Sequence, residues 1–270
     1  MSQKKQRLDV RLYEAGLCES REKARAAVMA GLVYVNNKLV DKPGRAVNPD
    51  AVLEVRGNAS PYVSRGGLKL EKAINVFDLD LSNKVVLDVG ASTGGFTDCA
   101  LKHRARQVYA VDVGYGQLAW SLRSDPRVVV LERTNIRYLT KEVFVETPDF
   151  VTVDVSFISL SKVLPKIEEL THPEATGVAL IKPQFEAGRE KVGKKGVVRD
   201  AAVHLEVLQK VTGLILALGW SVAGLDFSPV TGPEGNIEYL VFFKKLGSGS
   251  GLSFDLQNVV ERAHAELYQY

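Results

Sequence analysis

The sequence has few metal-binding or redox-active residues and lacks a long apolar run. It contains 2 Cys and 4 His in 270 residues, and Cys18 and Cys99 lie far apart without metal-ligand spacing. A disulfide framework or a bound metal is therefore not expected, and the cysteine usage suits a reducing cytoplasm. No apolar run approaches the roughly 20 residues of a membrane-spanning helix, and no apolar stretch follows the basic N-terminus as in a secretion signal. We therefore expect a cytoplasmic protein without a membrane partner.

The composition is that of a globular protein whose charge is slightly uneven. Hydrophobic residues make up 46% of the chain and charged residues 25%, which is enough for a sizeable core. The net charge is only +3, but residues 1–60 carry 11 Lys and Arg against 7 Asp and Glu. This excess suggests a small N-terminal module that binds a polyanion, although an ordinary solvated surface explains it equally well.

Residues 7–55 predict a small α+β unit. A helix-compatible stretch ends at Gly16, and Ser20 is placed to cap a second helix that Gly31 terminates. In the segment LVYVNNKLV, Asn36 and Asn37 predict a turn between two short strands, and VLEV predicts a final strand. The unit is therefore expected to contain two helices followed by short strands.

From residue 84 the pattern becomes an alternation of strands and helix-compatible segments. Five short apolar runs carry it: KVVLDV, QVYAVDV, RVVVLE, FVTVDV and GVALIK. Such alternation is typical of a parallel sheet that is covered on both faces. After a last helical segment over 200–218, the runs WSVAGLDFSPV and IEYLVFFKK predict a hairpin, so the last strand is expected to be antiparallel.

Four segments are predicted along the chain. The polar, turn-rich RGNASP indicates a linker, and GSGSG indicates a flexible link near the C-terminus. The predicted order is a small α+β domain over 1–58, a linker over 59–63, an α/β domain over 64–246, and a flexible link with a terminal helix over 247–270. The sequence does not distinguish a monomer from a homodimer.

The segment VVLDVGASTGGFT, residues 85–97, predicts a ligand-binding loop after a buried strand. A P-loop requires a lysine where Phe96 stands, and a dinucleotide fingerprint requires a glycine where Ser92 stands. The D-x-G-x-S-x-G order has instead the acid and glycine arrangement of methyltransferases that bind S-adenosylmethionine. That cofactor carries no phosphate but has an ammonium group, a sulfonium and a ribose, so it suits this loop better.

Polar side chains at successive strand ends are expected to bind this cofactor. Asp88 can help to fix its amino acid moiety, and Asp112 can accept hydrogen bonds from both ribose hydroxyls. Asn135 follows the third strand and could bond the adenine edge through both faces of its amide. The alternative is that these acids merely cap helices. The predicted cofactor-binding residues are Asp88, Gly90, Ser92, Thr93, Gly94, Gly95, Phe96, Asp112, Asn135 and Asp154.

Two lysines and two carboxylates are placed where their side chains can meet. Asp154 and Lys182 end the fourth and fifth predicted strands, whose carboxyl ends face the ligand crevice. Glu238 lies at the start of the final strand, and Lys69 lies in a helix-compatible stretch before the sheet. A lysine directly after VALI is costly to bury without a partner or a function. The alternative is a surface quartet of salt bridges.

The order Lys69, Asp154, Lys182, Glu238 resembles the K-D-K-E tetrad of FtsJ-type RNA ribose 2′-O-methyltransferases. The block RLDVRLYEAGLCESREKARAAVMAGLVYVNNKLV resembles an S4 RNA-binding domain. Together with SRGGLKL, DVGASTGGFTD, DVSFISL and IKPQFE, these features are similar to the hemolysin A (TlyA) family. The resemblance implies a Rossmann-like class I methyltransferase fold with a seven-stranded sheet, S-adenosylmethionine as cofactor, and methylation of cytidine 2′-hydroxyls in ribosomal RNA.

Within this resemblance, Lys182 is the candidate for contacting the ribose hydroxyl. A lysine ammonium cannot act as a base; the second ammonium of Lys69 would favour the neutral amine, whereas Asp154 and Glu238 would favour the charged form. The sequence leaves this balance open, so Lys182 is either the base or an oxyanion stabiliser, with Asp154 orienting it. Lys69 and Glu238 would position the ribose.

Basic residues in two segments are expected to bind the RNA. Arg21 and Arg25 can meet successive phosphates if they share a helix face. The long loop PQFEAGREKVGKKGVVRD is expected to close over RNA near the target ribose. Phe157 and Tyr115 are candidates for flanking the adenine or the target base, although aromatic residues near a sheet more often belong to the core. The predicted RNA-binding residues are Arg7, Arg11, Arg21, Lys23, Arg25, Lys38, Arg189, Lys194 and Lys195.

Three other functions remain open at the level of sequence. The first is a membrane-active protein, which only the hemolysin name of the family suggests. The second is a non-catalytic ribosome assembly factor that keeps the fold. The third is a base-modifying methyltransferase, which would not require the lysine pair. The sequence does not identify the nucleotide or the ribosomal subunit that is modified.

Overall fold

The computed structural model describes residues 5–29, 31–56, 61–246 and 254–268. The chain divides into two compact units, Met1–Gly67 and Leu68–Tyr270. The predicted GSGSG link and the first part of the predicted linker lie outside the described residues. In the described segments, no helix is long and apolar enough to cross a membrane.

The N-terminal unit is a small α+β domain, as predicted. Its helices are α1 (Leu8–Glu14) and α2 (Arg21–Met29). Its strands are β1 (Gln6–Arg7), β2 (Val33–Val35), β3 (Lys38–Leu39), β4 (Ala46–Val47) and β5 (Leu53–Val55). Strand β2 pairs antiparallel with β3 and β5. Strand β1 pairs with β4 in a second ladder that the sequence did not predict.

Local signals in this unit act as the sequence predicts. The Ser20 hydroxyl accepts a hydrogen bond from the Lys23 N–H at 3.1 Å and so caps α2. Asn36 and Asn37 have φ values of 50° and 61°, the left-handed values of the turn that suits a two-residue hairpin. A small core, in which Leu8 and Leu12 are fully buried, holds the helices on the strands.

The second unit is built around a seven-stranded sheet with the order β11-β12-β10-β9-β6-β7-β8. The strands are β6 (Val85–Val89), β7 (Gln107–Val111), β8 (Val128–Leu131), β9 (Phe150–Val153), β10 (Thr176–Ile181), β11 (Ser221–Phe227) and β12 (Tyr239–Lys244). Strands β6 to β10 pair in parallel, whereas β12 is antiparallel to both of its neighbours. The predicted mainly parallel sheet with an antiparallel last strand is therefore confirmed, and the architecture is that of a Rossmann-like class I methyltransferase.

Helices precede, connect and follow these strands. They are α3 (Gly66–Phe77), α4 (Gly95–Lys102), α5 (Trp120–Arg123), α6 (Leu164–Leu170), α7 (Pro183–Glu186), α8 (Ala201–Ala217) and α9 (Leu256–Leu267). Between β8 and β9 the chain forms only two 3₁₀ turns, Ile136–Tyr138 and Lys141–Val143. The β-branched residues around Val143 and the nearby Pro148 disfavour a longer helix in this segment.

The strands are short, rich in valine and buried, and this determines where the polar residues lie. All five residues of β6 are buried, and the core around it includes Tyr109, Trp220 and Phe243. Because parallel strands end at the same edge of the sheet, the residues that follow β6, β7, β9 and β10 meet at one edge. The polar residues at this edge form the candidate site.

Candidate active site

Two lysines and two carboxylates form a chain of alternating charge at the carboxyl edge of the sheet. Lys69 Nζ donates a hydrogen bond to Glu238 Oε2 at 2.6 Å and lies 3.6 Å from Asp154 Oδ2. Asp154 Oδ1 in turn lies 2.5 Å from Lys182 Nζ. The structure thus brings the four predicted residues together in the spatial order Glu238, Lys69, Asp154, Lys182. We call this group the charge chain.

The sheet topology explains how distant parts of the sequence reach one place. Asp154 follows β9 and Lys182 follows β10, which is parallel to β9. Strand β12 is antiparallel to β10, with Tyr239 opposite Ile181, so Glu238 lies beside the end of β10. Lys69 comes from α3. The charge chain therefore assembles from four separate elements of the second unit.

Burial makes the pairing in the charge chain necessary. Glu238 is 2% exposed, and Lys69 and Lys182 are each 7% exposed; an unpaired charge at such a site costs several kcal/mol. Burial alone would raise the pKa of Asp154, but the ammonium groups of Lys182 and Lys69 outweigh it and hold that pKa well below its usual value. Asp154 is therefore ionised at neutral pH, a poor proton acceptor and a charged anchor for both lysines.

A cavity of about 580 Å³ lies beside the charge chain. This volume suits a small-molecule ligand. Loops that follow β6, β7, β8 and β9 form its wall, and their polar and aromatic members include Ser92, Asp112, Gln117, Asn135, Arg137, Asp154, Ser156 and Phe157. Since Asp154 belongs both to this wall and to the charge chain, a ligand in the cavity would lie next to the buried lysines.

The loop after β6 packs so closely on the rest of the site that glycine is required at two positions. A Cβ on Gly90 would lie 2.4 Å from the carbonyl oxygen of Asp154, and the φ of Gly90 is +90°. Gly94 has φ +94° and precedes α4; a Cβ there would lie 2.3 Å from Leu122. At Gly90, which also lines the cavity, the loop therefore packs directly against the backbone of Asp154.

Asp112 and Asn135 line the cavity, and the protein already uses part of their hydrogen-bonding capacity. The two oxygens of Asp112 accept the N–H groups of Gly114 at 2.6 Å and Ser92 at 2.8 Å. Each oxygen has a further lone pair for a ligand. The amide oxygen of Asn135 accepts the Arg137 N–H at 3.1 Å. The expectation that both faces of the Asn135 amide bind adenine therefore changes: its NH₂ group is the better-placed partner.

Asp88 lies behind the cavity wall rather than in it. It is fully buried, and its carboxylate accepts hydrogen bonds from the hydroxyls of Thr97 at 2.6 Å and Thr152 at 2.9 Å. Burial, only partly offset by these two hydrogen bonds, raises the pKa of Asp88 to about 6. Asp88 therefore ties α4 and β9 to β6, and its effect on a ligand would be indirect. The other predicted cofactor-binding residues that do not line this cavity are Thr93, Gly94, Gly95 and Phe96.

The basic residues predicted to bind RNA in the N-terminal unit differ in their surroundings. Three are exposed and stand on α2 or β3: Arg21, Arg25 and Lys38. Arg7 and Lys23 are also exposed, but each pairs with a nearby carboxylate. Arg11 points inward and donates a hydrogen bond to the Pro49 carbonyl at 2.7 Å. Arg21 and Arg25 are one turn apart on the same helix, so they share a face, as the spacing predicts.

The predicted lid segment over 183–200 is partly anchored. Its three predicted RNA-binding residues are exposed: Arg189, Lys194 and Lys195. Toward its end, the Asn236 side chain accepts the Val198 N–H at 3.0 Å and donates to the Gly196 carbonyl at 2.9 Å. His204 makes a further hydrogen bond to the Val198 carbonyl at 3.0 Å. Any closing motion is therefore restricted to the part of the segment before Gly196.

Sequence reasoning did not identify Ser156, which the structure places in the site. Its hydroxyl accepts a hydrogen bond from Lys182 Nζ at 3.0 Å, and it lines the cavity. The only signal in the sequence is a hydroxyl two residues beyond Asp154. The alternative that Phe157 and Tyr115 belong to the core is wrong, because they are 90% and 68% exposed; their role beside a base stays a prediction. Both follow strands at the edge of the sheet that holds the site.

The seven-stranded sheet, the glycine loop and the adjoining cavity define the class of protein as a methyltransferase. Residues 62–245 match the FtsJ-like methyltransferase family, and residues 6–53 match the S4 domain. The chain belongs to the FtsJ-like methyltransferase family and carries an S4 domain in its N-terminal part. It is therefore an enzyme of the methyltransferase class, as the sequence predicts.

Similar proteins cover almost the whole chain. "Putative rRNA methyltransferase YqxC" of Bacillus subtilis is 54% identical and covers 99% of this chain and 97% of its own. The "16S/23S rRNA (cytidine-2'-O)-methyltransferase TlyA" of Mycobacterium tuberculosis is 42% identical, and the match covers 96% of this chain and 97% of that relative. A solved structure named "Putative hemolysin" from Streptococcus thermophilus is 46% identical, has a TM-score of 0.80, and covers 98% of both chains. These similarities confirm the predicted resemblance to the hemolysin A (TlyA) family.

Proposed function

We propose that the protein transfers a methyl group from S-adenosylmethionine to a ribose 2′-hydroxyl of ribosomal RNA, at a cytidine. The observation that carries this proposal is the charge chain, which runs from Glu238 to Lys182 and shares Asp154 with the cavity wall. The names of the relatives supply the RNA class and the nucleotide. A ribose hydroxyl is a poor nucleophile, so a group that withdraws or polarises its proton is what this reaction requires.

The cavity fits S-adenosylmethionine. Its wall offers acceptors at Asp112, a donor at Asn135, and apolar side chains such as Val111 and Ile136 for a base. Gly90 lines the cavity, and the absence of a side chain lets its loop pack against the Asp154 backbone. When bound there, S-adenosylmethionine supplies an electrophilic methyl group on a sulfonium.

The roles of the charge chain follow from its geometry. Lys182 is the member that adjoins the cavity-lining Ser156, so we assign it the contact with the 2′-hydroxyl, as base or as stabiliser of the developing oxyanion. Asp154 holds Lys182 through the 2.5 Å ion pair and keeps its amine aligned. Lys69 and Glu238 complete the pairing and would position the ribose.

The RNA would be held by both units. In the N-terminal unit, which we assign as an RNA-binding domain over 1–58, exposed Arg21, Arg25 and Lys38 are placed to meet phosphates. In the methyltransferase domain, which we assign to 64–246, the basic segment before Gly196 would contact the RNA near the site. Such phosphate contacts predict binding that weakens steeply with salt.

The test is transfer of a labelled methyl group to isolated ribosomal subunits and to free ribosomal RNA, followed by mapping of the modified nucleotide. Wild-type protein should label a cytidine ribose. Lys182→Ala should reduce transfer by at least about a hundredfold, since loss of a positioned acid or base costs about 10²- to 10⁴-fold. In calorimetry, the affinity of Lys182→Ala for S-adenosylmethionine should stay within about twofold of the wild-type value.

The exposed Lys141 provides the matched control, because Lys141→Ala removes a surface lysine outside the charge chain. That variant should transfer methyl groups at the wild-type rate. A methyl group mapped to a base instead of a ribose would replace the proposal with a base-modifying reaction. Absence of heat on mixing with S-adenosylmethionine would refute the cofactor assignment.

A further inference from the structure

The ammonium group of Lys182 has two oxygen partners that differ in geometry. Asp154 Oδ1 is only 2.5 Å away and anchors the ammonium group through an ion pair. Because an ammonium group has three N–H donors, it keeps N–H bonds for other acceptors. Ser156 Oγ, at 3.0 Å, does accept an aligned hydrogen bond from Lys182 Nζ. The direction of one Lys182 N–H bond is thus set by Ser156.

Ser156 stands between Lys182 and the cavity. Lys182 is 7% exposed, whereas Ser156 is exposed and forms part of the cavity wall. Because its oxygen accepts from Lys182, the hydroxyl proton is left to donate elsewhere. The part of the chain that the structure describes offers it no acceptor. A ligand oxygen on the cavity side would complete the arrangement.

The backbone fixes Ser156 relative to Lys182. Phe157, the next residue, has φ +64°, a conformation that is costly for a residue other than glycine and is often found at functional sites. A few residues on, the Leu160 N–H donates to the buried Glu186 carboxylate at 2.7 Å. Glu186 belongs to α7, which begins directly after Lys182. The loop that carries Ser156 is therefore tied to the helix that follows Lys182.

We propose that Ser156 is a positioning residue for methyl transfer, and the inference rests on the proposed function. Its hydroxyl accepts a hydrogen bond from Lys182 and donates one to an oxygen of the acceptor nucleotide. No covalent bond forms and no net proton transfer occurs at Ser156. Lys182 and the acceptor ribose are thereby held in one hydrogen-bonded row, with the Lys182 amine directed at the reacting hydroxyl.

The first test compares the kinetics of Ser156→Ala, Ser156→Thr and a control, Ser161→Ala. Ser161 lies in the same segment, and its hydroxyl bonds to Ser159 at 2.9 Å rather than to the charge chain. Ser156→Ala should lower kcat about tenfold to a hundredfold, which is the range for loss of a hydrogen bond to a charged group. The affinity of Ser156→Ala for S-adenosylmethionine should stay within about twofold of the wild-type value. Ser156→Thr should stay within about threefold of the wild-type kcat, and Ser161→Ala should match wild type.

The second test does not depend on RNA. In protein labelled with ¹⁵N-lysine, the NH₃⁺ resonance of Lys182, assigned with Lys182→Arg, reports its hydrogen bonds directly. Ser156→Ala should shift this resonance and accelerate its hydrogen exchange, whereas the Lys69 resonance should stay in place. Ser161→Ala should change neither resonance.

The two tests separate failure of this inference from failure of the proposed function. If wild-type protein labels RNA but Ser156→Ala keeps a kcat within twofold, the Ser156 role is refuted while the proposed function stands. Equal losses in Ser156→Ala and Ser156→Thr would also refute it, because the hydroxyl would then not be the cause. If wild-type protein labels no ribose, the proposed function fails, and an unchanged Lys182 resonance in Ser156→Ala would refute the hydrogen bond itself.

Discussion

The buried carboxyl group of Asp88 is expected to contribute stability to the second unit that is lost as the pH rises. Burial raises the pKa of Asp88 from 3.8 to about 6 in the folded protein. A carboxyl group with a higher pKa in the folded than in the unfolded chain stabilises the fold fully below pH 3.8, and this contribution is lost as the pH rises through 6. The pKa difference corresponds to about 3 kcal/mol, of which about 1.4 kcal/mol is lost between pH 5 and pH 8.

Asp88→Asn removes this titration with little change in shape. The amide oxygen can accept from one threonine hydroxyl and the NH₂ group can donate to the other, so the links to Thr97 and Thr152 can persist. Relative to wild type, the variant should therefore gain about 1.4 kcal/mol in unfolding free energy between pH 5 and pH 8. Urea unfolding followed by tryptophan fluorescence measures this unit selectively, because Trp120 and Trp220 both belong to it.

Asp80→Asn is the matched control. Asp80 is exposed, and the Ser82 N–H lowers its pKa, so its titration lies below the measured range. This variant should show the wild-type dependence on pH. If wild type and Asp88→Asn also change in parallel from pH 5 to pH 8, then the Asp88 carboxyl group is not protonated in that range and the argument from burial is wrong.

Three further predictions concern Gly90 in the cavity loop, Glu186 on α7 and the buried His204 on α8. Gly90→Ala places a Cβ 2.4 Å from the Asp154 carbonyl at φ +90°, so calorimetry should show at least a tenfold loss of S-adenosylmethionine affinity. Glu186→Ala removes the acceptor of the buried Leu160 N–H and should lower the urea unfolding free energy by about 1–3 kcal/mol. Burial lowers the pKa of His204 to about 4, so this residue alone contributes a loss of about 2 kcal/mol as the pH drops from 7 to 5, opposite in sign to the Asp88 contribution. In urea unfolding, His204→Gln should gain about 2 kcal/mol relative to wild type over that range.

Much of the fold could be predicted because its signals are local. The Val-rich runs marked five parallel strands, and the hairpin marked the antiparallel one. Once the strands were located, the rule that polar residues at carboxyl ends share one edge placed Asp154 beside Lys182. Lys69 and Glu238 were harder to place, since neither lies at the carboxyl end of a parallel strand; the family resemblance supplied them.

What could not be predicted depends on packing between distant segments. The β1–β4 ladder joins residues about 40 positions apart, and its two-residue strands carry no periodicity. The position of Asp88 behind the cavity wall depends on Thr97 and Thr152, whose hydroxyls occupy its carboxylate. Nothing local distinguishes such a carboxylate from one that faces a ligand. The Ser156 contact likewise depends on the positive φ of Phe157, which the sequence does not indicate.

Asp154 belongs both to the cavity wall and to the charge chain, and it therefore links the positions of the two. Its carbonyl oxygen packs against Gly90 of the cavity loop, while its carboxylate holds Lys69 and Lys182. A ligand that contacts the Gly90 backbone is therefore positioned relative to the reacting lysine through a single residue. Because the charges alternate from Glu238 to Lys182, no member can move without leaving a buried charge unpaired, and that cost keeps the arrangement rigid. The distance between a methyl donor in the cavity and an acceptor at Lys182 is thus fixed by the backbone after β9.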